Sequence, residues 1–235
     1  MLSLTAVGKT FPGSPPVHAL RAATFRVHPG EVLGIVGRSG SGKSTLLNVL
    51  GLLDVHTTGN YCVHGQDVSA LSDRHRTALR AHFFAFIFQQ SFLLADRTAR
   101  ENVEIALRLQ PLTRRERRDR AAAALERVGL ANRSAFLPHT LSGGESQRVA
   151  IARAIASEPR VLLCDEPTGN LDERTTAEVV DLLLGAQATG AAVIIVTHDL
   201  VIARSLPRLL SVRDGHVTEG AESFLATATD QNMLA

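Results

Sequence analysis

The sequence predicts an α/β fold in which a mostly parallel sheet is covered by helices and interrupted by an inserted helical block. Three observations predict it. Short apolar runs alternate with helical patterns at both ends of the chain, the signature of strand–helix–strand units. One of those runs passes through a glycine-rich turn directly into a helix. From Ser91 to Ser157 the pattern is almost wholly helical.

In chain order, Leu2 to Phe11 and Ala19 to Val27 read as strands on either side of a turn at Pro12 to Pro16. Glu31 to Val36 is a buried strand ending at glycine. It leads into Gly37 to Ser44 and a helix through Leu52. Gly59 to Val68 reads as one further strand, Ser72 to Ala81 as a helix capped by Ser72, and Phe83 to Phe88 as a continuous apolar strand. Inside the helical block, Arg114 to Val128 is charged on most faces, and Gly143 to Ala156 alternates small apolar with basic residues. After Pro159 come strand Val161 to Cys164, helix Glu173 to Ala188 and strand Ala191 to Val196. Two short strands, near Arg208 to Val212 and His216 to Glu219, precede a weak tail. We expect one domain: a core of 1–90 and 158–224, a helical subdomain of 91–157, and a tail of 225–235.

Composition narrows the function classes. The 235 residues are 45% hydrophobic and 20% charged, ordinary for a globular protein. A net charge of +2 is too small to imply a polyanionic partner. The basic run Arg114 to Arg120 is interleaved with Glu116 and Asp119 and lacks aromatic neighbours, so it reads as a solvated helix and no nucleic-acid partner is expected. Cys62 and Cys164 have no metal-type spacing, and Cys164 ends an apolar run, as a buried reduced thiol would. Met1 to Gly13 lacks a leader pattern, and Leu182 to Val196 is too short and interrupted to span a bilayer. A cytoplasmic chain is expected, with any membrane role supplied by a partner.

Three segments carry chemistry. Gly37-Arg38-Ser39-Gly40-Ser41-Gly42-Lys43-Ser44 fits the phosphate-binding loop G-x-x-x-x-G-K-[ST], placed strand to helix as that loop requires. Its glycines let backbone N–H groups surround phosphate oxygens at a helix N-terminus, Lys43 adds a charge, and the Ser44 hydroxyl suits Mg²⁺. Asp165 and Glu166 stand just past a buried strand, where open α/β sheets place ligands. Asp165 suits Mg²⁺, and Glu166 suits a general base. Leu141-Ser142-Gly143-Gly144-Glu145 contains a capping box, Ser142 to Glu145. Its two glycines cost the helix roughly 1 kcal/mol each relative to alanine. A close approach to an anion would justify them.

Together with Gln89, Asp172 and His198, these segments resemble the ABC (ATP-binding cassette) ATPases in order and spacing, from about Leu2 to Glu219. The resemblance implies an α/β P-loop NTPase with a RecA-like core, a mixed sheet, an antiparallel β subdomain and an inserted helical subdomain. It implies an ATPase with Mg²⁺ as cofactor that pairs with a second copy of itself around two ATP molecules and drives an integral membrane permease from the inner face of the membrane. Phe11 stands where the adenine-stacking aromatic belongs. Gly37 to Ser44 and Thr45 would hold the phosphates. Gln89, with Gln90 as the neighbouring candidate, would join Ser44 and Asp165 at Mg²⁺ and sense the membrane partner. Glu166, His198 and Gln89 form the catalytic set. Ser142, Gly143, Gly144 and Glu145 would contact the ATP held by the other subunit, and Asp172 would bridge the pair, or cap the helix from Glu173, or both. Within the family, Gly51 to Asp54 and Asp165 to Asp172 resemble the macrolide-exporter and lipoprotein-release branch. An ABC-type ATPase of repair, chromosome organisation or translation is the rival class; it would carry heptads or a second P-loop, and neither is present. An ATP-switched scaffold with slow hydrolysis is the third reading.

Overall fold

A computed structural model describes residues 1–169, 171–221 and 224. Along the chain, β1 (Leu2–Phe11) and β2 (Val17–Val27) precede β3 (Val32–Val36), which feeds α1 (Lys43–Leu50). The stretch read as one strand from Gly59 is a hairpin, β4 (Thr58–Val63) and β5 (Gln66–Asp67). His64 and Gly65 both adopt positive φ, 52° and 81°, the backbone of a two-residue turn matched to strand twist. Then come α2 (Asp73–Phe83), with Ser72 Oγ accepting from His75 N–H, and β6 (Phe84–Phe88).

The inserted block holds α3 (Ala99–Ala106), α4 (Arg114–Arg127) and α5 (Gly143–Ala156). Each begins with the same device: Thr98 with Glu101, Thr113 with Glu116 and Ser142 with Glu145 form complete capping boxes. β7 (Val161–Asp165) follows, then α6 (Glu173–Gly185), capped by Asp172. α6 stops at Gly185, short of Ala188, and a 3-10 turn, Ala186–Thr189, runs to left-handed Gly190. β8 (Ala192–Val196), the short helix α7 (Leu200–Ser205), β9 (Leu209–Arg213) and β10 (His216–Glu219) complete the order. The expected tail, 225–235, lies outside the described residues.

The chain divides into two compact units. One comprises Met1–Arg80 with the segment from Ile194 onward. Here β1 pairs antiparallel with β2 and β4, β10 with β9 antiparallel and with β2 parallel, and β3 with β9 parallel. The mixed sheet that the family resemblance implies is thus present. Leu46, Leu47, Val49 and Leu50 of α1 are buried, and buried Tyr61 donates its hydroxyl to Leu50 O at 2.6 Å.

The other unit is Ala81–Val193. β6 and β7 pair in parallel, with Phe84 opposite Val161 and Phe88 opposite Asp165. β7 is buried from Val161 to Cys164. Burial and the adjacent Asp165 charge raise the Cys164 thiol pKa, so it is the reduced, inert thiol expected. The three helices of the block bury small and aliphatic residues such as Val103, Ala121, Leu125 and Ile151. Among the described residues no helix is long and apolar enough to cross a membrane.

Candidate functional site

In the first unit, β3 is buried at every residue and delivers the chain to Gly37. A Cβ at Gly37 would come within 2.2 Å of Val212 O. Gly42 holds φ 111°, and a Cβ there would lie 2.4 Å from Ala19 O. The loop is pressed between β9 and β2 so closely that only glycine fits at its two ends. Ser41 N–H donates to Arg38 O, and Gly215 N–H donates to Ser41 O at 2.9 Å, tying the loop to the β9–β10 turn. Arg38, Ser39 and Gly40 form its exposed crest.

Lys43 Nζ donates to Gly37 O at 2.8 Å and Arg38 O at 2.9 Å, so the ammonium sits over the mouth of its own loop. Exposed Ser44 and half-buried Thr45 follow in the first turn of α1, which no side chain caps. Ser41 Oγ is buried without a hydrogen-bond partner. Such a hydroxyl is costly unless a ligand satisfies it. Donors, charge and an uncapped helix start all fit a bound phosphate.

The same unit places two more expected residues. Thr197 is buried and its N–H donates to Ile35 O at 3.1 Å, so His198, next in sequence, leaves the sheet beside the strand that feeds the loop. His198 is exposed, and Asp199 caps α7 through Val201 and Ile202 N–H. Phe11 is exposed at the end of β1. Its ring lies 4.8 Å from Lys9 Nζ, and Lys9 is anchored by Asp54 at 2.5 Å.

The second unit brings together the carboxylates, the glutamine and the signature. Because β6 and β7 are parallel and in register, Gln89 and Glu166 leave the sheet at the same end, one residue past the Phe88–Asp165 pair. A Cβ on Gly169 would meet Gln89 Nε2 at 2.7 Å, which puts the Gln89 amide against the loop after Glu166. That placement favours Gln89 over Gln90. Glu166 is half-buried with φ 47°, a left-handed backbone that non-glycine residues hold only where the surroundings impose it.

The signature opens α5. Ser142 Oγ accepts from Glu145 N–H, and Ser142 N–H donates back to Glu145 Oε2 at 2.8 Å. That backbone bond, with the Ser142 hydroxyl and Arg133 beside it, lowers the Glu145 pKa below its ordinary value. The two glycines differ. Nothing lies within 4 Å of a Cβ built on exposed Gly143, whereas one on Gly144 would meet Thr175 Cγ2 at 2.7 Å. Gly144 is small because the first turn of α6 packs on it, whereas Gly143 borders open space. Asp172 caps that turn of α6, accepting from Thr175 N–H at 2.9 Å, and this bond lowers its pKa.

One residue had no role in the sequence reading. Gln147 of α5 is 3% exposed, and its Nε2 donates to Phe88 O and Pro167 O. Its only mark in the sequence is a glutamine two positions after Glu145.

A glycine-clamped phosphate loop at a helix start, with an acidic pair closing a buried parallel strand, defines a nucleotide-binding protein of the P-loop class. The family model described as ABC transporter matches residues 20–169. An ABC transporter ATP-binding protein of Bacillus subtilis, the uncharacterized YknY, is 41% identical over 92% of this chain and 95% of its own length. The macrolide export ATP-binding/permease protein MacB of Bradyrhizobium diazoefficiens is 44% identical over 97% of this chain, which spans 35% of that protein. The dimeric structure of the ATP-binding cassette MJ0796, in a post-hydrolysis state bound to ADP and Pi, superposes with a TM-score of 0.86. It is 38% identical and covers 94% of this chain and 98% of its own. The chain belongs to the ABC transporter family and is an ABC-type ATPase cassette. The resemblance to the macrolide-exporter branch is borne out by the names of its relatives.

Proposed function

We propose that the chain binds and hydrolyses ATP as a pair of identical subunits at the cytoplasmic face of a membrane, driving a separate permease. Its relatives support the assembly: MJ0796 is a dimer holding ADP and Pi, and MacB is an ATP-binding/permease export protein. The chain spans about a third of the length of the MacB-type exporters and nearly all of YknY. Residues 1–90 and 158–224 serve as nucleotide-binding core and 91–157 as helical subdomain.

Gly37 to Thr45 receive the phosphates, and Phe11 stacks on adenine. Ser44, Asp165 and Gln89 would hold Mg²⁺. Their donors are oxygen atoms, the ligand type that Mg²⁺ takes. When bound, Mg²⁺ neutralises charge on the phosphates. Glu166 accepts a proton from water as the water oxygen bonds to the γ-phosphorus and the bond to the bridging oxygen breaks, leaving ADP and phosphate. His198 donates to the γ-phosphate. Ser142, Gly143 and Gly144 contact the γ-phosphate held by the partner's loop, with Glu145 fixing that cap. Asp172 lies at the pair's seam.

The observation that carries this reading is the joint exit of Gln89 and Glu166 from paired parallel strands. Its test is the Glu166→Gln variant. Losing a general base should cost about 10²- to 10⁴-fold in kcat while nucleotide binding persists. Equal loss of binding would make Glu166 structural.

A surface on the helical block suits the permease. Phe92 and Leu94 are 62% and 48% exposed, and Arg153 donates to Ser91 O and Phe92 O, holding this segment just after Gln89. Substituting Phe92 or Arg97 should weaken co-purification with the permease and leave basal turnover near that of the parent.

A further inference from the structure

Gln147 is the one polar residue among those that α5 buries; the others are Val149, Ala150, Ile151, Ala152, Ala154, Ile155 and Ala156. Its Nε2 donates to Phe88 O at 3.1 Å and Pro167 O at 2.8 Å. Phe88 immediately precedes Gln89, and Pro167 immediately follows Glu166. One amide therefore grips the main chain on both catalytic loops from the helix whose first turn is the signature. An apolar side chain of equal size would fill the space and leave both carbonyls without this donor.

The grip falls where the backbone needs it. Glu166 is held at φ 47°, and the carbonyl next along the chain is the one Gln147 binds. On the other side, Glu166 O accepts from Gly169 N–H at 3.1 Å. Strained backbone persists only when its neighbours fix it from several directions. Two further contacts join α5 to α6: Gly144 against Thr175, and Arg148 Nη1 donating to Glu178 Oε2 at 2.6 Å.

We propose that Gln147 is a positioning residue for hydrolysis, transmitting the placement of the signature turn to Gln89 and Glu166 through their own main chains. It touches no reacting atom. The proposal rests on the roles given to Gln89 and Glu166 above.

The test uses the full chain carrying Gln147→Met or Gln147→Glu, with Glu166→Gln as reference. Steady-state kcat, KM for ATP and thermal unfolding are measured for each. Gln147→Met keeps the volume and removes the donor, so kcat per folded molecule should fall roughly 10- to 100-fold, as small displacements of catalytic groups do. KM should stay within about twofold, since the two carbonyls the amide binds, Phe88 O and Pro167 O, are not part of the phosphate loop. Gln147→Glu sets a carboxylate against two carbonyl oxygens at neutral pH and becomes a donor when protonated. Its kcat, relative to the parent at each pH, should therefore rise between about pH 8 and about pH 6. A structural role alone would lower the unfolding temperature, leave kcat per folded molecule unchanged and give a flat pH ratio; that result overturns the proposal. Should Gln147→Met not fold, the pH ratio of Gln147→Glu decides. A parent enzyme that turns over no ATP would end the proposed function and this clamp with it. A parent that is active, with Glu166→Gln inactive and Gln147→Met at parental rate, would end the clamp alone.

Discussion

The phosphate loop and the segment around Glu166 are held in shape by different means. In the loop, backbone meets backbone: Gly37 and Gly42 lie so near Val212 O and Ala19 O that a side chain has no room, and Lys43 bonds carbonyls of its own turn. Around Glu166 and Gln89 the main chain is gripped by side chains from far along the sequence. Gln147 reaches carbonyls 59 and 20 positions away, and Arg153 reaches carbonyls 61 and 62 positions away. A cradle fixed by backbone packing keeps its geometry without help from outside side chains, so it is suited to steady binding. A loop gripped from a distant helix takes its geometry from that helix, so it is suited to chemistry that waits for a signal.

The largest effect that would break this contrast lies in the loop. Gly42→Ala forces a Cβ onto Ala19 O at φ 111°. We expect a loss of about 3 kcal/mol in stability and a fall of about 100-fold or more in ATP affinity. Thermal melts and titration with a fluorescent nucleotide check it. Parental affinity in a folded variant would show that the loop tolerates reshaping.

The signature glycines sharpen the contrast with a smaller effect. Gly144→Ala must push Thr175 aside and should cost about 1–3 kcal/mol in the isolated chain. Gly143→Ala meets nothing and should change stability by no more than about 1 kcal/mol. If Gly143 faces the partner's phosphate, its substitution should still weaken ATP-dependent pairing. Equal stability costs at the two positions would erase the distinction drawn here.

The smallest effects concern the cap. Ser142→Ala removes the Glu145 N–H acceptor and should cost about 1 kcal/mol. Glu145 has a lowered folded-state pKa, chiefly from its bond to Ser142 N–H. Its contribution is therefore complete above its unfolded pKa and lost as pH falls through the lower, folded value. Glu145→Gln should flatten that part of the acid limb in a stability–pH series. An unchanged acid limb would separate the cap from Glu145.

This contrast also explains what could be read from the sequence. The phosphate loop is legible because its eight residues, Gly37 to Ser44, are consecutive. The acidic pair after β7 and the Ser142–Glu145 and Asp172 caps were visible for the same reason. The β4–β5 hairpin was missed because His64-Gly65 lies within an otherwise strand-like run, and positive φ at His64 has no compositional mark. The six-residue helix α7 is shorter than any periodic signal. Gly144 was credited to an anion because its neighbour Thr175 is 31 positions on, and Gln147 had no role because both its partners are tertiary.

The central claim, that each ATP is held by the loop of one subunit and the signature of its partner, is most directly tested by mixing two defective chains. Lys43→Ala removes the loop charge, and Ser142→Arg blocks the signature turn; neither chain should form a closed ATP dimer alone. In the mixture, a heterodimer has one site carrying both defects and one site carrying neither. The account predicts that ATP-dependent dimerisation, followed by light scattering or crosslinking, partly returns on mixing. Parental chains that close normally, beside a mixture that never closes, would contradict it.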